Sequence, residues 1–270
     1  MRILRAGKRF MTIELAQLQV TMLSDGETAM PLDCLLDTEG QPLSPEALAG
    51  ADLVEGGLRL PVRAFLVKGP AGCLLIDAGA ASSWHKGLGQ LQAALTEAGF
   101  GPQQVTAIAL SHTHVDHLSG LVDADGAPAF PNAMRVFVAI EETMAFRANS
   151  RMQPVMPRLV PLEQGDGPFP GVTVINAPGH SAGHMAFLVE GRLLIWGDLV
   201  HHAAIQFARP EVGWKHDADL ALARQSRLSL MRLAKRKGLL VAGAHLPDPG
   251  IGHIFRQDGR YHFRPVRRTV

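Results

Sequence analysis

Residues 111–117 read Ser-His-Thr-His-Val-Asp-His, which puts three imidazoles and a carboxylate in six consecutive positions after the serine. Neutral ring nitrogens and carboxylate oxygens are the donors that zinc and its borderline neighbours take. The block follows Val105-Thr-Ala-Ile-Ala-Leu110, an apolar, β-branched run that reads as a buried strand. Side chains in a turn at the end of such a strand can converge on one point of a cleft. His112 and His114, two apart, share one face of an extended segment. Asp116 and His117 can then turn toward a second ion. The competing reading is a chance histidine-rich loop, and the density of donors argues against it.

Outward from that block, the chain alternates strands and helices. Pro61-Val-Arg-Ala-Phe-Leu-Val67 and Gly72-Cys-Leu-Leu-Ile-Asp77 read as a hairpin turning at Lys68-Gly-Pro-Ala71. Further strands are predicted at 134–139, 172–176, 185–189 and 192–196. Leu88, Leu91 and Leu95 at helical spacing, stopped by Gly99, predict a helix over 87–98. A longer helix is predicted from Asp217, as N-cap, to Lys237, with Gly238 ending it. Residues 12–23 read as a strand followed by a turn at Ser24-Asp-Gly26. Residues 27–60, with Pro31, Pro42 and Pro45, show no regular pattern. A connection of that length points to the border of a binding site. There is also an internal echo. Ala71-Gly-Cys-Leu-Leu-Ile-Asp-Ala-Gly79 and Glu190-Gly-Arg-Leu-Leu-Ile-Trp-Gly-Asp198 both run turn, apolar strand, aspartate-bearing end.

The pattern His-x-His-x-Asp-His at 112–117 resembles the signature of the metallo-β-lactamase-fold superfamily, and four more stretches follow that family's order. Cys73-Leu-Leu-Ile-Asp77-Ala-Gly79 resembles its strand ending in Asp-x-Gly. Asn176-Ala-Pro-Gly-His180-Ser-Ala-Gly-His184 resembles its Pro-Gly-His motif. Leu194-Ile-Trp-Gly-Asp198 resembles the strand that delivers a bridging aspartate, and Ala242-Gly-Ala-His245-Leu-Pro247 the segment with the last histidine. The resemblance covers about residues 60–255. It implies an α/β fold, a four-layer αββα sandwich of two similar halves with the metal site at one edge. One domain over residues 1–270 is expected, because the proposed ligands span residues 112–245 and must meet in space. Alternation of strands and helices is compatible with that layout, but by itself it fits other α/β folds as well.

The resemblance also implies a ligand set. His112, His114 and His180 fall on a first metal, Asp116, His117 and His245 on a second, and Asp198 bridges both. Two Zn2+ ions are the expected cofactors, with Mn, Co or Fe as substitutes. Such a pair acidifies a shared water and polarises a carbonyl or phosphoryl oxygen, so a metal-bridging hydroxide is the expected nucleophile. Asp116 carries a second expected task, steering the proton to the leaving group. Asp77 is expected behind a ligand histidine, fixing its tautomer, or else simply ends its strand in a turn with Gly79. His201 stands three residues after the bridging aspartate, where many acyl-homoserine lactonases carry a tyrosine. It is expected either to donate a hydrogen bond there or to pack. Pro178, Gly179 and Gly183 argue for a loop around His184, which reads as pocket-lining or as a strand start. His85, His216, His253 and His262 read as surface or structural residues.

Two stretches, Trp196-Gly-Asp-Leu-Val-His-His-Ala-Ala-Ile-Gln-Phe207 and His245-Leu-Pro-Asp-Pro-Gly-Ile-Gly252, look most like one branch of the family. That branch contains methyl parathion hydrolase-like enzymes and quorum-quenching lactonases. The expected activity is hydrolysis of lactones, N-acyl-homoserine lactones among them, or of related esters, with phosphotriester cleavage alongside. The alternatives are a mononuclear iron persulfide dioxygenase, a thioesterase of the same fold, or a metal-stabilised binding module without catalysis. A flavo-diiron oxidoreductase generally carries glutamate where His114 stands. The 25 residues after His245 give no expectation of the helical C-terminal domain of hydroxyacylglutathione hydrolases. Candidate substrate walls are the loop 146–158, with Phe146, Met152 and Met156, and the segment 203–214, with Ile205, Phe207 and Trp214. These side chains are apolar and adaptable, and they serve equally well as core or as a homodimer interface.

Composition adds bounds. A net charge of +1 gives no reason to expect nucleic acid, and the basic ends (Arg2, Arg5, Lys8, Arg9; Arg264, Arg267, Arg268) read as solvated faces. No run approaches the ~20 apolar residues of a membrane span, and no apolar leader follows the N-terminal basic residues. A cytoplasmic protein acting on a small molecule is the default expectation. Cys73, one of two cysteines, reads as a reduced core residue.

Overall fold

The computed structural model describes residues 1–81 and 84–268. The chain begins with β1 (Arg2–Ala6), β2 (Phe10–Leu15), β3 (Leu18–Met30), β4 (Leu35–Leu36), β5 (Leu53–Val54), β6 (Gly57–Gly69) and β7 (Gly72–Ile76). Next come helix α1 (Leu91–Glu97), β8 (Ala107–Ala109), the one-turn α2 (Val115–Leu118), β9 (Val136–Ala139), α3 (Thr143–Ala148) and β10 (Leu159–Leu162). The second half supplies β11 (Val172–Asn176), β12 (Met185–Val189), β13 (Leu193–Ile195), α4 (Ala203–Gln206) and β14 (Gly213–Trp214). It closes with α5 (Leu220–Lys237), β15 (Leu240–Ala242), β16 (Ile251–Gln257) and β17 (Arg260–Pro265).

Two sheets result. Their strand orders are β1-β2-β3-β6-β7-β8-β9-β10 and β11-β12-β13-β15-β16-β17, with β5 adding to β6 and β4 pairing with β14. Most neighbours are antiparallel, but β7, β8, β9 and β10 run parallel, as do β13 and β15. Parallel neighbours need a crossover; α1 lies in the crossover between β7 and β8, and α5 in that between β13 and β15.

Strand alternation sorts the apolar residues into layers. Ile13, Val20, Phe65, Val67, Leu74 and Ile76 of the first sheet meet Val174, Phe187, Val189, Ile195, Ala242 and Ile251 of the second in one buried cluster. Their neighbours along the strands point outward. Leu66, Leu75, Ile108 and Val138 pack on Leu91, Ala94 and Leu95 of α1. On the far side Ala186, Leu194, Trp196 and Val241 pack on Leu230, Met231 and Ala234 of α5. Helix, sheet, sheet, helix is the four-layer sandwich expected from the motifs. Each buried aliphatic or aromatic side chain contributes about 1.5–3 kcal/mol, so this stacking is what holds the two halves together.

Local differences from the sequence reading have identifiable causes. Residues 12–23 belong to two strands joined by a tight turn at Ala16 (φ 54°). Ser24-Asp-Gly26 is a bulge inside β3, not a turn after it. There the carboxylate of Asp25 points inward and accepts the backbone N–H groups of Ala80 at 2.9 Å and Leu91 at 2.8 Å. Residues 27–30 and 57–60, expected to be irregular, extend β3 and β6, so the irregular stretch is shorter than predicted. The first helix begins at Leu91, because residues 87–90 wrap past β3, where Gln90 N–H reaches the Asp25 carbonyl. The long helix is capped by Asp219, whose Oδ1 accepts from Leu222 N–H at 2.9 Å, and not by Asp217. Gly238 ends it in the left-handed conformation, φ 62°, as expected. Both cysteines are buried and unpaired. Among the described residues no helix is long and apolar enough to cross a membrane.

Candidate metal centre

The parallel strands deliver the polar residues. Asp77 follows β7, the histidine block follows β8, Asp198 follows β13 and His245 follows β15. All four lie past the carboxyl ends of parallel strands, where α/β sheets form ligand crevices. Within the block the backbone changes conformation at the right point. His114 is extended and is the N-cap of α2. One helical turn then brings Asp116 and His117 around to the same interior.

The donor atoms fall into two main sets, His112, His114, His180 and Asp198, and Asp116, His117, Asp198 and His245, each with its atoms within 4.8 Å of one another; His180, His201 and Asp217 make a smaller third group. Asp198 belongs to both main sets. Its Oδ1 lies 3.1 Å from His117 Nε2, and its Oδ2 lies 3.0 Å from His245 Nε2 and 3.3 Å from His180 Nε2. His114 Nδ1 faces His180 Nε2 at 2.9 Å.

The outer ring nitrogens show which atoms are free to coordinate. His117 Nδ1 is 2.9 Å from Asp77 Oδ2, His180 Nδ1 is 2.8 Å from Asp217 Oδ1, and His245 Nδ1 is 2.7 Å from the Pro61 carbonyl. Each acceptor holds a proton on Nδ1 and directs Nε2 inward, where a cation can take the place of a second proton, as metal-binding histidines require. His112 Nε2, His117 Nε2 and Asp198 Oδ1 are buried without a hydrogen-bond partner. Buried polar atoms of that kind are costly, and cations would satisfy all three. The residues therefore fit a dinuclear metal site. Charge agrees. Burial alone would raise the Asp198 carboxyl, yet His117, His245 and His112 hold it well below the carboxylate range. Burial opposes charge on His180 too, but Asp198 and Asp217 raise it to about 9. That field favours positive charge where the two sets meet.

Several residues hold this arrangement. Asp77, at φ 60°, accepts from Ser111 N–H at 2.7 Å and from Ser111 Oγ–H at 2.9 Å as well as from His117. His184 donates from Nδ1 to the Ala177 carbonyl and accepts the Asp198 N–H at Nε2, 3.0 Å each. Gly197 (φ 52°) lets them approach, since a Cβ there would lie 2.7 Å from His184 Nε2. The buried Glu142 accepts N–H groups from Thr113 at 3.2 Å and Gly183 at 2.9 Å, tying the block to the His180 loop.

Two clefts meet at the centre and share His201 and His245. One, of ≈ 240 Å³, is walled by Met30, Leu60, Trp84, Val115 and Trp214 over the ligands. The other, of ≈ 570 Å³, lies between β6, α4 and β17. His201 is stacked between Trp214 at 4.5 Å and His245 at 5.2 Å. Its Nε2 lies 3.3 Å from Asp198 Oδ2, its Nδ1 has no hydrogen-bond partner, and burial lowers it to about 3 against the pull of Asp198.

Residues 57–261 match the metallo-beta-lactamase superfamily. The chain belongs to that superfamily. An N-acyl homoserine lactonase of Bacillus thuringiensis is 30% identical over 225 residues, 73% of this chain and 86% of the relative. A Bacillus cereus N-acyl homoserine lactonase is also 30% identical, over 155 residues; the match takes in 49% of this chain and 60% of that protein. Among solved structures, the hydrolase AbOPH of the beta lactamase superfamily superposes with TM-score 0.84 at 30% identity, covering 97% of this chain and 99% of its own. AidC, a dizinc quorum-quenching lactonase, shares the fold with TM-score 0.84 at 24% identity, covering 96% of this chain and 98% of its own. Superfamily membership and the lactonase relatives make this chain a metal-dependent hydrolase.

Within the superfamily frame, the expected substrate walls need correction. Phe146 and Met152 are buried in the outer cluster under the first sheet, and Met156 packs against it. That loop is a helical turn followed by a 3-10 helix, and it does not line either cleft. Ile205 is buried beside Trp214, Leu35 and Cys34, also outside both clefts. Phe207 touches the larger cleft but packs on Trp196 and Phe263. Trp214 does line the smaller one. His216 and His262, read as surface or structural, line the smaller and larger clefts respectively. His184 lines neither cleft; it precedes β12 and supports Asp198.

Asp217, read as a helix cap, is the main residue that sequence reasoning missed. Replacing it with asparagine is expected to weaken metal retention at His180 by roughly 10–100-fold, the usual cost of losing such a partner. Chelator competition measures this, and an unchanged affinity would show that His180 is oriented by something else.

Proposed function

We propose that the chain is a di-zinc lactonase acting on N-acyl-homoserine lactones or close relatives, with phosphotriester cleavage as a side activity. The observation that carries this reading is the carboxylate of Asp198 lying between two histidine-rich donor sets, directly under an apolar cleft. His112, His114 and His180 would hold one ion and Asp116, His117 and His245 the other, with Asp198 in reach of both. An imidazole and carboxylate set without thiolate suits zinc. A pair of such ions supplies Lewis acidity and lowers the pKa of a shared water toward neutrality.

The protein's own groups do the rest. Asp77, Asp217 and the Pro61 carbonyl keep three ligand histidines in the Nδ1–H tautomer. Asp116 Oδ2, 3.6 Å from His245 Nε2, sits at the edge of the smaller cleft; it takes the proton that the attacking water gives up and hands it to the leaving alkoxide when the ester bond breaks. His201, neutral in its stack, donates an N–H to the substrate oxygen on which negative charge develops. Met30, Leu60, Trp84, Val115 and Trp214 take the acyl chain. A phosphotriester presents a neutral, tetrahedral centre to the same groups, which is why the two activities belong together.

The test is a panel of N-acyl-homoserine lactones, a β-lactam, a thioester and a phosphotriester, assayed on zinc-loaded protein. Lactones are expected to give the highest specificity constant, within the usual enzyme range of roughly 10⁴–10⁸ M⁻¹s⁻¹, and the phosphotriester a lower one. Preferred turnover of the thioester, or none of any lactone, would overturn the reading.

A further inference from the structure

Arg63 sits in β6 at 5% exposure, an arginine inside an otherwise apolar stretch. Burying a guanidinium is expensive unless an acid pairs with it, yet among the described residues Arg63 has no carboxylate partner. Asp248, the acid whose charge it feels most, is held by Arg268. Burial lowers Arg63 only to about 10, so it remains charged at neutral pH. Its Nε has no partner at all. Its Nη1 is spent on two backbone carbonyls, those of Ala244, at 3.4 Å, and of Leu246. These are the two residues that flank His245.

Pro61, two positions earlier on the same strand, accepts the His245 Nδ1 proton through its carbonyl at 2.7 Å. One strand of the first sheet thus grips a loop of the second sheet at three points in a row, 244, 245 and 246. The loop is shaped to receive the arginine. A Cβ on Gly250 (φ 76°) would lie 2.5 Å from Arg63 Cδ, so the stem passes where only glycine leaves room.

We propose that Arg63 is a positioning residue for the second metal: its guanidinium fixes the carbonyls on either side of His245 and so keeps His245 Nε2 aimed at Asp198 and Asp116. This rests on the reading of His245 as a ligand. A charged donor is suited to the task because charge-assisted hydrogen bonds are the stronger ones.

The experiment compares parent, R63M and R63K as full-length protein by stepwise chelator competition. Cobalt substitution is used to distinguish the two sites by absorption. R63M is expected to weaken the site of Asp116, His117 and His245 by roughly 10–100-fold and to leave the His112, His114 and His180 site at parent affinity. R63K, which keeps the charge on a single donor nitrogen, is expected to recover part of the loss and serves as the test if R63M does not fold. Parent affinities at both sites in a folded variant, or equal weakening of both, would overturn the clamp. Metal stoichiometry of the parent reads the ligand assignment separately, so a failure there is distinguishable from a failure of the clamp.

Discussion

Asp198→Ala is expected to abolish hydrolysis and to strip at least one metal from the protein. The carboxylate is 2% exposed and stands within 3.3 Å of ring nitrogens from His117, His180, His201 and His245. No other side chain belongs to both main donor sets. In the proposed site its loss would remove the negative charge that offsets two dications and the atoms that set their spacing. A barrier increase of about 4 kcal/mol would already mean a thousandfold in rate, and the loss of a metal adds to that. Asp198→Asn keeps the shape but removes the charge, so it is expected to fail in the same direction. Rate and metal content, measured on the same preparation, check the result. Parent turnover with two metals retained would rule out the bridge.

Chain length should show the next largest effect. Each methylene that enters an apolar cleft is worth roughly 0.8 kcal/mol, about fourfold in specificity constant. A lactone series is therefore expected to climb steeply and then flatten once the cleft of ≈ 240 Å³ is full. Met30 is half-buried on that wall and is not a candidate ligand. Met30→Trp should move the plateau to shorter chains while metal content stays at the parent value. A flat series in the parent would mean that the acyl chain does not enter this cleft, and would shift the weight toward a small polar ester or a phosphotriester. Phe207→Ala is not a useful probe of the wall. That ring packs on Trp196 and Phe263, and its loss should cost about 3–5 kcal/mol of stability.

The ligand block was legible because its donors are neighbours in sequence and follow an apolar run. The repeated order of turn, apolar run and aspartate likewise exposed the echo between the ends of β7 and β13, where Asp77 and Asp198 emerge. What escaped was whatever depends on distant partners. Glu142 meets Thr113 across 29 positions, and Arg63 meets Leu246 across 183. Nothing local marks either residue as part of the site. Asp217 and Asp219 both precede a helix, and composition cannot decide which one caps it. The structure gives the cap to Asp219 and frees Asp217 for His180. Phe146 and Met152 mislead for a simpler reason. An apolar side chain in a loop looks the same whether it faces a cleft or a core, and the packing of α1 and the 3-10 segment under the first sheet chose the core.

The dinuclear assignment is tested most directly by anomalous X-ray scattering at the zinc edge from crystals of the zinc-loaded protein. Two peaks are expected, one bounded by His112, His114 and His180, the other by Asp116, His117 and His245. Both should contact Asp198, with zinc–nitrogen distances near ~2.0–2.1 Å. A single ion per chain that leaves Asp116 and His245 uncoordinated, or peaks lying elsewhere, would contradict the account.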